Sequence, residues 1–142
     1  MKATVLLADS AQADPNGKVH ALGLCWSVTG TPTPAHALVV LIEVAWDETN
    51  KKIPFHAELV DGDGNSVVID SPVGQQPLQL DGVVEAGRPP GMPPGTAVRI
   101  PFCTQIGAGL NLVVGQRYEW RFSLNGESHE DWSASFTVVK QG

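Results

Sequence analysis

The chain has 142 residues, 42% of them hydrophobic, enough for one compact domain (residues 1–142) whose core needs no disulfide staple. Its net charge is −6, its sequence pI is near 5.0, and its nine Lys and Arg are spread along the chain, which argues against nucleic acid as a partner. No apolar run approaches the length of a membrane span, so no membrane partner is expected either.

Residues 3–8 are too short and too poorly flanked for the apolar core of a signal peptide. A cytoplasmic protein is expected, or one that leaves the cytosol without a Sec signal. Its two cysteines, Cys25 and Cys103, are therefore expected to be free thiols.

In chain order, period-two alternation dominates. Ala3 to Asp9 reads as a short apolar strand, and Asp14-Pro15-Asn16-Gly17 as a turn. Lys18 to Thr29 alternates, which predicts one strand with His20, Leu22, Leu24, Trp26 and Val28 on its inner face. After the loop Gly30 to Pro34, the segment His36 to Trp46 is apolar on both faces and predicts a central strand. Asp47 to Lys52 turns the chain. Phe55, Ala57 and Leu59 then alternate with His56 and Glu58, and Asp61-Gly62-Asp63-Gly64-Asn65 turns into a strand from Ser66 to Asp70. Pro77 to Ala86 and Ala97 to Thr104 are two further strands, the second marked by Pro101 as an edge or a bulge.

Arg117 to Leu124 has the sharpest alternation, with Tyr118, Trp120, Phe122 and Leu124 inward. The last strand places Trp132, Ala134, Phe136 and Val138 inward. A loop from Asn125 to Glu130 joins the two, opening on an Asn-Gly turn signal. About nine short strands with turn signals between them predict an all-β antiparallel sandwich. Leu112, Gly115 and Tyr118 resemble a tyrosine corner, which favours an immunoglobulin-like variant. The antibody disulfide is not part of that expectation, because Cys25 and Cys103 lie out of phase with their strands' inner faces.

Several stretches carry a wider likeness: Leu6-Leu7-Ala8-Asp9, Val19 to Gly23, Leu41 to Val44 with Trp46-Asp47-Glu48, Gly87 to Gly91 with Pro93-Pro94-Gly95, and Tyr118 to Arg121. On these the chain resembles the uncharacterised DUF6941 family of small actinobacterial and phage-encoded proteins. That resemblance implies no activity. It does imply a phage or prophage setting, with the virion as a location if the gene is phage-borne.

No sequence motif points to catalysis, a cofactor or a metal. Asp61-x-Asp63-x-Asn65 starts like a calcium loop, but Ser66 and Pro72 stand where the turn glycine and the bidentate glutamate should be. The four histidines lie on different elements. His56 and Glu58 share a face, yet an acid–base pair needs a pocket and a nucleophile. Trp46 and Trp132, near strand ends, could line a ligand edge or close the core.

The segment that stands out is Arg88 to Thr96, which holds four of the eleven prolines. It can be neither helix nor central strand and reads as a stiff surface loop. Arg88, Pro89, Pro90, Met92, Pro93 and Pro94 are the candidate partner-binding residues, with Met92 an apolar tip and Arg88 a free fork for a partner carboxylate. Three functions follow. The first is a non-catalytic interaction module, most concretely an accessory or decoration protein of a phage particle, which allows an oligomer within that assembly. The second is a cytosolic binding module for a peptide or small ligand. The third is an enzyme of unrecognised type.

Overall fold

The alternating segments become paired strands in the computed structural model, which describes residues 1–140. In chain order they are β1 (Lys2–Ala8), β2 (Ser10–Ala13), β3 (Val19–Leu22), β4 (Val28–Thr29), β5 (His36–Val44), β6 (Lys52–Asp61), β7 (Val68–Ser71), β8 (Gly74–Pro77), β9 (Gln79–Glu85), β10 (Val98–Ile106), β11 (Arg117–Leu124) and β12 (Glu127–Val138). A single 3-10 turn, Trp46–Glu48, follows β5.

The strands form an all-β sandwich. One sheet runs β1-β5-β10, and the facing sheet runs β4-β12-β11-β6-β9. All pairings are antiparallel except that of β4 with β12. β5 lies between two partners, as its two apolar faces predict, and β10, which carries Pro101, is an edge.

Alternate residues of both sheets meet in one core. Val5, Leu38, Val40 and Ile42 from the first sheet face Leu59, Trp120, Phe122, Leu124 and Phe136 from the second. Trp120, Leu38, Leu59 and Leu124 are fully buried. Each such side chain stabilises the fold by about 1.5–3 kcal/mol relative to exposure. Tyr118 closes one end. Its hydroxyl accepts a hydrogen bond from the Val113 amide at 3.0 Å, so the tyrosine corner is formed.

Three expectations are corrected. Lys18 to Thr29 is not one strand, because Gly23 and Cys25 both take positive φ (70° and 73°) and break it. Leu22, Leu24 and Val28 consequently lie outside, at 73%, 45% and 57% exposure. Instead β3 turns back on β2, and this hairpin brings Ala11, Val19 and Ala21 against a small apolar cluster of Ala8, Ala37 and Val39 on the outside of the first sheet. Cys103 packs there too, while Cys25 is exposed.

The loop predicted from Asn125 to Glu130 shrinks to Asn125-Gly126, both at positive φ (52° and 78°), the requirement of a two-residue I′ hairpin turn. The residues after it extend β12. The β7–β8 hairpin was not anticipated, since Gly74 to Pro77 lacks apolar alternation.

Candidate functional site

The proline segment folds as two turns in tandem. Met92 N–H donates to Pro89 O, and Thr96 N–H donates to Pro93 O, each at 3.2 Å. Both turns read Pro-Pro-Gly, with proline at the second position and a glycine at positive φ at the third (Gly91, 83°; Gly95, 86°). That is the sequence requirement of a type II turn, because only glycine adopts such a φ without strain. Pro89, Pro90, Pro93 and Pro94 are all exposed.

The base of the loop is fixed by its own chain. Arg88 Nε donates to Thr49 Oγ1 and Arg88 Nη2 to Trp46 O, both at 2.6 Å. Its guanidinium lies over the Trp46 ring at 3.9 Å. Asn50 N–H adds a 2.7 Å bond to Ala86 O. Arg88 is thus not a free fork, because two of its donors and its flat face are used internally. Met92 is not a free tip either: it is half-buried and packs against the core.

The aromatic strand ends are also occupied. Trp132 is buried among core residues, and Trp46 carries Arg88. The Asp61 turn is self-satisfied, since Asp61 Oδ1 accepts from the amides of Asp63 and Asn65 at 3.0 Å each. Among the described residues, no group of three or more His, Cys, Asp or Glu side chains is placed to hold a metal ion.

His36 is fully buried. Its Nδ1–H donates to Pro34 O at 3.0 Å, and its Nε2 is buried with no partner. Trp26 covers it, with ring centroids 4.8 Å apart. Burial holds its pKa below the ordinary 6.5, and the bond to Pro34 opposes that only in part. Trp26 is itself pinned by Nε1–H to Asp9 Oδ1 at 2.8 Å.

A second feature emerges on the outer face of the five-stranded sheet, where strand register stacks polar residues into two rungs. Asp81, His56, Ser123 and Ser128 lie side by side across β9, β6, β11 and β12. Gln79, Glu58, Arg121 and Ser133 form the next rung, two residues along. His56 Nδ1–H donates to Asp81 Oδ1 at 2.7 Å, and Ser66 Oγ–H donates to Glu58 Oε2 at 3.2 Å. Arg121 Nε donates to Glu119 Oε2 at 2.9 Å. Burial pushes the Glu119 carboxyl up, but bonds from Arg121 and Ser133 outweigh that and hold it below its ordinary 4.5.

A bulge opens this face. Arg121 pairs with Ser133 but Ser123 pairs with Ser128, so His129, Glu130, Asp131 and Trp132 all stand opposite Phe122. Bulges bend a strand and re-aim its side chains. Here two adjoining hollows result, one of about 280 Å³ lined by His56, Glu58, Arg121, Ser123 and Ser128, the other of about 260 Å³ reaching His129 and Trp132. Sequence reasoning noted only the shared face of His56 and Glu58. Asp81, Arg121 and Ser123 join them through register, which a single sequence does not print.

No protein-family model matches this chain significantly, and no curated protein and no solved structure is significantly similar to it.

Proposed function

We propose that this chain is a non-catalytic interaction module that presents the Pro89–Pro94 loop to a protein partner. One observation carries the reading: four exposed prolines are held on two tandem turns whose base is fastened by Arg88 to Trp46 and Thr49. A loop already rigid loses little entropy when it docks, so a small apolar contact yields useful affinity. Arg88 and Met92 act here as scaffold, and the prolines are the contact.

The scaffold we infer is an immunoglobulin-like sandwich, a reading supported by the Tyr118 corner. The assembly we infer is a phage particle in which the chain is an accessory or decoration protein. Support for that setting comes from the DUF6941 resemblance alone.

The double change Pro90→Ser with Pro94→Ser tests the reading. It removes apolar area and stiffness at the tips, and neither residue donates to a ladder. The variant is expected to keep its melting temperature within a few degrees, since surface changes cost about 0.5 kcal/mol or less. It is expected to lose incorporation into the native assembly. Incorporation at the normal copy number would show the loop to be a spacer.

A further inference from the structure

We infer that the hollow on the outer face of the five-stranded sheet binds a neutral, hydroxyl-rich ligand of the carbohydrate class, through His56, Glu58, Arg121, Ser123 and Ser128.

Preorganisation is the first argument. Each charged side chain is held by a neighbour yet keeps open valences. Asp81 Oδ1 accepts from His56 Nδ1–H and fixes the ring, which leaves Nε2 open to a ligand hydroxyl. Glu119 accepts from Arg121 Nε, and Arg121 lines both hollows. Ser66 steadies Glu58, 3.8 Å from His56 Nε2. Carboxylate acceptors stand together with hydroxyl and guanidinium groups along the hollow, as a set of ligand hydroxyls requires, since each hydroxyl both donates and accepts.

Charge and polarity decide the class. The carboxylates of Glu58, Glu119 and Glu130 that line the hollows outnumber the single Arg121 cation, so an anionic ligand meets net repulsion. The lining mixes polar groups with apolar surface from Phe122 and Trp132, which suits the hydroxyl and C–H faces of a sugar together. In the second hollow the His129 ring is half exposed, bonded to Glu127 at 2.7 Å and packed on Trp132 with centroids 4.5 Å apart. It offers one flat ring face against which the C–H face of a sugar can pack. Two hollows sharing Arg121, Phe122 and Ser128 suit two linked sugar units.

This site is separate from the proline loop and stands or falls independently of it. The test is an NMR titration of amide-labelled full chain with cellobiose, maltose and diacetylchitobiose, and with spermine and sialyllactose as charged probes. At least one neutral disaccharide is expected to give saturable shifts centred on the amides of His56, Glu58, Arg121, Ser123 and Ser128. Arg121→Gln and Ser123→Ala, both checked for an unchanged melt, are each expected to weaken that binding about tenfold, the loss of one hydrogen bond to a charged or buried group. Met92→Ala is expected to leave it unchanged. The proposal is overturned if no neutral disaccharide binds, if only spermine or sialyllactose binds, or if binding survives both groove variants undiminished.

Discussion

Arg88 lies flat on Trp46, its guanidinium carbon 3.9 Å from the ring centroid, while its Nη2 donates to the carbonyl of the same residue at 2.6 Å. One side chain thus ties the root of the proline loop to the 3-10 turn after β5. The pairing converts a proline-rich connection into a fixed platform, which is what the proposed contact requires.

Arg88→Ala is therefore expected to destabilise the chain by about 1–3 kcal/mol, the sum of two partly exposed hydrogen bonds and a cation–π contact. Arg88→Lys should recover only part of this, because an ammonium cannot reproduce the fork and the stacked face. Chemical denaturation measures both. An alanine variant as stable as the parent would show that the contact is not held in solution.

The tyrosine corner gives a second expectation. Tyr118→Phe leaves the ring in place and removes only the acceptor for the Val113 amide. A loss of about 1 kcal/mol is expected, with unchanged strand content by circular dichroism. A neutral result would mean that water replaces the hydroxyl without penalty.

Gly82 pairs directly with Phe55 across β9 and β6, and a methyl group on Gly82 would lie 2.6 Å from Phe55 Cε2. Gly82→Ala must push the ring into a core that already holds Phe102 and Phe122 against it. Overpacking of this kind costs about 1–3 kcal/mol. A thermal melt equal to the parent's would require Phe55 to have another rotamer open to it.

His36 makes stability depend on pH. Its folded pKa lies below the ordinary 6.5, because protonation would place a charge in a buried site where Nε2 has no partner. The unfolded chain then binds the proton more readily, so the contribution is fully present above 6.5 and is lost as pH falls below that value toward the folded pKa. Denaturation between pH 7.5 and 5 reads this as a falling midpoint, the window being set by the histidine pKa range of about 5 to 8. His36→Gln should flatten that slope, and an unchanged slope would assign it to other groups.

How far the sequence reached depended on the range of the cause. β5, β11 and the Asn125-Gly126 turn were legible because an unbroken apolar run, side-chain alternation and turn chemistry are each local. So was the Tyr118 corner, whose partner Val113 lies five residues away. The break at Cys25 was not, since a positive φ at a non-glycine residue is imposed by surroundings. Arg88 looked like a free donor until the fold brought Thr49 beneath it, from 39 positions upstream. The polar rungs needed the register of four strands, and within one strand they look like ordinary solvated residues.

The most direct test of the docking reading is amide hydrogen exchange of the chain free and in its purified native assembly. The amides to follow are those interleaved with the prolines, at Gly91, Met92, Gly95 and Thr96. Slower exchange at all four in the assembly, with the β7–β8 hairpin unchanged, is the result expected. Equal exchange at these four amides in both states would contradict the claim that the proline loop is the contact surface.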